Sequence, residues 1–145
     1  MKTIRMATLI AVALVATLSL THAARGEEHK SVAIAADGLK WVEMSAKAPD
    51  VKAATVSGDY TTGPWAAFIK FPAGSKSGVH THSSDLKIVV ISGTFRYGAT
   101  PDTEKSYGAG SYVLIPANLP HSNSQPEGAL LYAEQSDKFD NKPVN

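Results

Sequence analysis

The sequence predicts an all-β protein, and three observations support this. From residue 39 onward, short runs of β-branched and aromatic residues recur along the chain. Turn residues separate these runs at intervals of roughly 8–12 residues, a spacing typical of β-sandwiches and barrels. No segment shows the apolar period of an amphipathic helix. A chain of 145 residues is also short enough for a single domain.

The predicted strands follow one another closely. Residues 39–45 alternate weakly, and 52–64 contain Gly-Asp and Gly-Pro turn signals. The clearest strand lies at 65–74 and has Lys70 as its one charge. We therefore expect its even-numbered side chains to point outward and its odd-numbered ones to point inward, namely Trp65, Ala67, Ile69 and Phe71. Further runs lie at 79–85, 86–92, 94–99, 111–117 and 128–135.

The N-terminus has the layout of a secretory signal peptide. Lys2 and Arg5 precede an apolar run, and small residues follow it up to Ala23. The run is shorter than the ~20 apolar residues of a membrane span, so we expect cleavage, no stable membrane anchor and a periplasmic or secreted protein. The expected organisation is a signal peptide at 1–23, a polar arm at 24–37, a β-domain at 38–136 and a polar tail at 137–145.

Composition excludes several functional classes. The formal net charge is +1 and there is no basic run, so nothing indicates a nucleic-acid partner. Loss of the predicted signal peptide would remove Lys2 and Arg5 and bring the charge to −1. The chain has no cysteine, which excludes disulfides, thiolate ligands and a cysteine nucleophile.

Two histidines, His80 and His82, are one residue apart near a predicted strand. Residues two apart on a strand point to the same face, so both imidazoles could aim at one point. This spacing alone is a weak signal for a metal site, because ordinary strands also carry such pairs. His29 lies in the polar arm among charged neighbours, where we expect a solvated side chain rather than a ligand.

The surrounding residues resemble the two motifs of the cupin superfamily. The first motif places a glycine, two histidines and a second glycine at fixed spacings, and the second motif places a glycine, a proline and a third histidine. The matching residues here are Gly74, His80, His82 and Gly93, followed by Gly110, Pro116 and His121. The resemblance implies a single, small, RmlC-like jelly-roll β-barrel (a double-stranded β-helix) with His80, His82 and His121 as metal ligands.

Three positions depart from the family pattern. Leu86 stands where the family has a glutamate ligand, Asn118 where it has a glycine, and Gln125 where it has an asparagine. Asparagine also adopts left-handed turn conformations, so Asn118 is a compatible replacement. Leucine cannot bind a metal, and the neighbouring Asp85 could do so only if a bulge rotated it inward.

Three neutral imidazoles suit a divalent transition metal, namely Fe, Zn, Ni, Mn or Cu, without selecting one. Such a centre keeps a local charge of +2, which favours a small anionic ligand such as an enolate, carboxylate or catecholate. Candidate pocket residues besides the histidines are Leu86, Tyr112, Tyr132 and Glu134, and Glu134 could equally be an outward strand charge.

Two functions from different classes fit these features. One is a metal-dependent enzyme, either dioxygenase-like or using the metal as a Lewis acid in isomerase or lyase chemistry. The other is a non-catalytic cupin that binds a small ligand, with or without metal. A homodimer formed through edge strands is compatible with this pattern but is not established by it.

Overall fold

The computed structural model describes residues 31–144, which are nearly all β. The chain divides into two units, Met1–Val32 and Ala33–Asn145, and every described strand lies in the second. Helical structure in the described part is limited to two 3-10 turns, Ala36–Gly38 and Pro101–Thr103, neither with the length or apolar character of a membrane span. The predicted signal peptide, most of the polar arm and His29 lie outside the described residues.

The strands form two antiparallel sheets, which confirms the jelly-roll fold class. The six-stranded sheet has the order β1-β2-β3-β10-β5-β8, and the five-stranded sheet has the order β11-β4-β9-β6-β7. The strands are β1 Val42–Ser45, β2 Ala48–Gly58, β3 Trp65–Phe71, β4 Ser75–Thr81, β5 Leu86–Gly93, β6 Phe95–Gly98, β7 Lys105–Tyr107, β8 Tyr112–Ile115, β9 His121–Gln125, β10 Ala129–Gln135 and β11 Lys142–Pro143.

The core takes residues from both sheets. Trp65, Ala67 and Ile69 on β3 are buried as expected, whereas Lys70 is exposed. The neighbouring β10 and β5 present buried residues to the same cluster, and Phe95 of β6 joins it from the five-stranded sheet. The β-alternation read from a single lysine therefore gives the correct inner face of β3.

Two turn positions show why the motif residues are needed. Gly93 has φ +77°, and a Cβ there would lie 2.2 Å from the carbonyl oxygen of Gly128, so only glycine fits. Asn118 has φ 61° and is the one non-glycine residue with positive φ in the described part of the chain. Its backbone N–H donates to the His82 carbonyl over 2.8 Å, tying the second motif to the first. The expectation that asparagine can replace the family glycine is confirmed.

Candidate metal centre and cavity

The fold brings the three predicted histidines together. His80 on β4 is paired with His121 on β9, and His82 follows β4 by one residue. All three are buried, with exposed fractions of 3%, 2% and 1% for His80, His82 and His121. Each offers one ring nitrogen, and these nitrogens all lie within 4.8 Å of one another. The group could therefore hold a metal ion.

A β-bulge sets the direction of His80. Ser77 pairs with Asn123 and His80 pairs with His121, so β4 uses three residues where β9 uses two. The additional residue lies within Gly78–Val79. Side chains alternate along a strand, and a bulge shifts that alternation by one. As a result Ser77, three residues before His80, lines the same cavity as His80.

Each histidine is oriented by a main-chain carbonyl. His80 Nδ1 donates to the Gly78 carbonyl over 2.8 Å, His121 Nδ1 donates to the Leu119 carbonyl over 2.9 Å, and His82 Nδ1 donates to the Asp140 carbonyl. A carbonyl oxygen only accepts, so the proton of each neutral ring is on Nδ1 and the lone pair is on Nε2. His121 Nε2 is buried without a hydrogen-bond partner. Three neutral nitrogen donors with fixed tautomers are a suitable ligand set for a transition metal.

Burial favours the neutral form of His82 and His121. It lowers the pKa of His82 to about 4, with a further reduction from the nearby His80 and His121, although the bond to Asp140 opposes it. Burial likewise lowers the pKa of His121, against the opposing bond to Leu119. At pH 7 a metal would therefore not have to displace protons from these two rings.

The segment after β10 forms part of the site. We call residues 137–144 the C-terminal strap. The Asp140 carboxylate accepts hydrogen bonds from Ser83 N at 2.8 Å and Ser83 Oγ at 2.5 Å, and Lys142 Nζ lies 3.3 Å from it. Burial raises the Asp140 pKa, but the bonds from Ser83 and Lys142 outweigh it and lower the pKa overall. The Phe139 ring lies 5.5 Å from the His82 ring. The predicted polar tail therefore contributes the Phe139 ring to the wall of the site and the Asp140 carbonyl as the hydrogen-bond acceptor of His82.

The histidines open onto a cavity of about 320 Å³. One wall is apolar and comes mostly from the six-stranded sheet, and the other carries the polar residues of β4 and β9. No carboxylate is among the described residues that line it, whereas Lys47 and Lys76 lie at the exposed rim. The apolar wall includes Val51, Ile69, Phe71, Leu86, Ile88, Leu131 and Ala133.

Leu86 lines this cavity and is 7% exposed. Its even number, like those of His80 and His82, suggested that it faces the same interior. Asp85 points away, because its carboxylate accepts a hydrogen bond from Ala117 N at 2.8 Å. No bulge turns it inward, so it does not belong to the histidine group.

The other three candidate pocket residues do not line the cavity. Tyr132 packs against Phe68 with 5.8 Å between ring centroids, and Glu134 forms an exposed ion pair of 3.0 Å with Lys87. Tyr112 is 58% exposed. On β10 the buried residues are odd-numbered, so the even-numbered side chains lie on the other face of the sheet. The outward alternative considered for Glu134 is the one observed.

Sequence reasoning missed several lining residues. Met44 precedes the strongest strand signals, Gln125 was considered only as a motif position, and Asn123 was not considered. The signal that could have identified Asn123 and Gln125 is their parity with His121 on β9, which places all three on one face. Phe139 and Asp140 carry no such signal, because they reach the site from far along the chain.

Two antiparallel sheets with three convergent histidines are the features that the resemblance to cupins implied. The match to a family model described as the ChrR cupin-like domain spans residues 29–138, and the chain belongs to this family. A search among curated proteins finds no match.

Solved cupin structures share the fold at low sequence identity. An RmlC-like cupin from Ralstonia eutropha is 19% identical, with 74% of this chain and 69% of that chain covered and a TM-score of 0.62. An RmlC-like cupin from Shewanella frigidimarina is 19% identical over 76% of this chain and 95% of that chain, with a TM-score of 0.60. An acetylacetone dioxygenase from Acinetobacter johnsonii is 17% identical over 76% of this chain and 75% of that chain, with a TM-score of 0.61.

Proposed function

We propose that this protein is an exported, metal-dependent cupin enzyme that acts on a small anionic organic molecule. The observation that carries the proposal is the set of three buried histidines, each with Nδ1 bonded to a carbonyl so that Nε2 carries the lone pair, beside a cavity of small-molecule size. Export rests on the basic start, apolar run and small residues of the N-terminus.

A divalent metal held by His80, His82 and His121 would supply Lewis-acid or oxygen chemistry. The residues around it favour a negatively charged substrate. The three ligands are neutral, the lining has two lysines, and no carboxylate is among the described lining residues. The apolar wall, which includes Leu86 and Phe139, excludes water and strengthens electrostatic attraction to an anion. A cupin of the same fold, the dioxygenase from Acinetobacter johnsonii, acts on acetylacetone, which is a small organic molecule of the size that this cavity could hold.

The first test is elemental analysis of protein purified from the exported fraction. We expect one transition-metal ion per chain. Replacing any one of His80, His82 and His121 by alanine should weaken metal affinity by more than about 100-fold. This exceeds the loss typical for a residue that only hydrogen-bonds to a metal ligand. His29→Ala is the matched control and should retain full occupancy. Full occupancy in His121→Ala would contradict the three-histidine centre.

The second candidate is a non-catalytic cupin that binds a small ligand. One observation favours it: within residues 31–144 no carboxylate lines the cavity, so there is no general acid or base of that type. Turnover separates the candidates. Metal-loaded protein should consume a carboxylate or β-dicarbonyl anion from a substrate panel, and the His121→Ala variant should not. Tight binding of such an anion without turnover by the loaded protein would support the binding module.

A further inference from the structure

A polar stripe leads from the histidines along the five-stranded sheet. Ser75 pairs with Gln125, and Ser77 pairs with Asn123, and all four residues line the cavity. Gln125 follows His121 by four residues, which on a strand is on the order of 10 Å. The cavity therefore has a second polar end, well separated from the metal centre.

Gln125 is the unusual member of this stripe. Its side chain is fully buried, with 0% exposure. Its Nε2 donates to Asn123 Oδ1 over 3.0 Å, but its Oε1 has no partner among the described residues. Buried polar atoms are nearly always hydrogen-bonded, so an acceptor without a protein partner beside a cavity needs a donor from the cavity, which a bound ligand can supply.

We propose that Asn123 and Gln125 form a distal subsite for a hydroxyl group, and that the substrate is a hydroxylated organic acid. This rests on the proposed function. The anionic group lies at the histidines, and the hydroxyl donates to Gln125 Oε1. The carbon skeleton between them packs on the apolar wall, which includes Ile69 and Phe71. Lys47 and Lys76 at the rim favour entry of an anion.

The test compares two acids that differ by one hydroxyl. Cobalt-loaded protein is titrated calorimetrically with phenylacetate and with 4-hydroxyphenylacetate. We expect the hydroxy acid to bind roughly five- to tenfold more tightly, the value of one neutral hydrogen bond. Gln125→Met should abolish this preference while the affinity for phenylacetate stays the same. Gln135→Met is the matched control: Gln135 also has a buried orphan Oε1 but does not line the cavity, so the preference should persist.

The outcomes separate the subsite from the metal centre. Equal affinity for the two acids in the unaltered protein, or a preference that survives Gln125→Met, overturns the subsite alone. Binding of neither acid by loaded protein overturns the hydroxy-acid assignment. Protein that binds no cobalt overturns the proposed function and the subsite together. If Gln125→Met fails to fold, Gln125→Glu keeps the acceptor, so it should retain the preference while binding both acids more weakly.

A different observation carries a second inference, about the C-terminal strap. His80 and His121 each bond a carbonyl two residues back along the chain, whereas the partner of His82 is 58 residues away. The Asp140 carbonyl is held in place by the bonds of its own carboxylate to Ser83, next to His82, and by the pairing of β11 with β4. We infer that Asp140 and Ser83 are positioning residues for His82.

Zinc affinity tests this role. Asp140→Ala removes both bonds to Ser83 and the ion pair with Lys142, and should weaken zinc binding roughly 10–100-fold, as loss of a hydrogen-bond partner of a metal ligand typically does. Ser83→Ala removes the Oγ bonds to the Asp140 carboxylate and from Lys142 Nζ but keeps the bond from Ser83 N, so it should have a smaller effect in the same direction. Asp137→Ala lies in the same strap, and among the described residues its carboxylate accepts a hydrogen bond from Lys138 N alone, so this variant should change nothing. The cobalt absorption spectrum should shift in Asp140→Ala. Unchanged zinc affinity and an unchanged spectrum in folded Asp140→Ala would overturn the inference.

Discussion

Leu86→Glu places a carboxylate where the family has a metal ligand, in a wall that is otherwise apolar. Leu86 is 7% exposed on β5 and faces the cavity beside the histidines. Without metal, the variant loses the burial of a leucine side chain and gains a buried carboxyl group without a partner. We expect destabilisation of roughly 3 kcal/mol, which for a domain of this size lowers Tm by about 12 °C.

Zinc should reverse much of this loss. A carboxylate next to a divalent ion gains Coulomb energy and adds a fourth protein ligand. Each tenfold gain in affinity adds about 1.4 kcal/mol of stability at saturating metal, or roughly 6 °C in Tm. The zinc-induced rise in Tm should therefore be larger for Leu86→Glu than for the unaltered protein. Affinity for anionic ligands should fall, because the local charge drops and a coordination position is filled.

The assay is thermal unfolding of chelator-treated protein with and without zinc. Ile88→Glu is the matched control, since Ile88 lines the same cavity two residues further along β5 and is 3% exposed. It should be destabilised similarly but gain no extra stability from zinc. If zinc stabilises Leu86→Glu no more than it stabilises Ile88→Glu, Leu86 is not adjacent to the metal and the reasoning fails.

Three further predictions concern pH, backbone conformation and export. In metal-free protein, burial holds the pKa of folded His82 at about 4, below the ordinary 6.5 of the unfolded chain. Protonation of His82 therefore favours unfolding, so the free energy of unfolding should fall by about 3 kcal/mol as the pH drops from 6.5 towards 4. Urea unfolding at pH 4.5 and 7 should show this loss, and equal free energies at the two pH values would contradict it. Asn118→Ala should destabilise by about 1 kcal/mol and Asn118→Gly should not, because φ there is 61°; equal Tm values for the two variants would contradict this. Mass spectrometry of exported protein should show a mature N-terminus near Ala24, whereas an intact Met1 on soluble cytoplasmic protein would refute export.

Sequence patterns predicted the inner face of β3 and the histidine centre, because both depend on residues that are close together in the sequence or belong to one motif. Lys70 was enough to orient β3, because side chains alternate along a strand. The resemblance of the residues around His80, His82 and His121 to the two cupin motifs identified the centre, because those motifs reflect turns that glycine or Asn118 must form. Each of these inferences needed only residues that are close in sequence or joined by a fixed motif.

Features that depend on pairing between distant segments were not predictable in this way. The faces of Tyr132 and Glu134 follow from which face of β10 packs inward, and a short run of apolar and polar residues does not give this. The bulge at Gly78–Val79 exists only relative to β9. The strap was missed because its composition is polar, and its value to the site comes from the Asp140 carbonyl, which any residue could supply.

The separation of the three orienting carbonyls has a consequence for biosynthesis. Gly78 and Leu119 can orient their histidines once β4 and β9 have paired. His82 must wait until residues 139–143 have been synthesised and have docked beside β4. During synthesis the chain would therefore pass through a stage with two correctly oriented histidines and a third that is free to turn. We expect any metal binding at that stage to be weak, so the three-histidine group would reach its full affinity only when the last strand is in place.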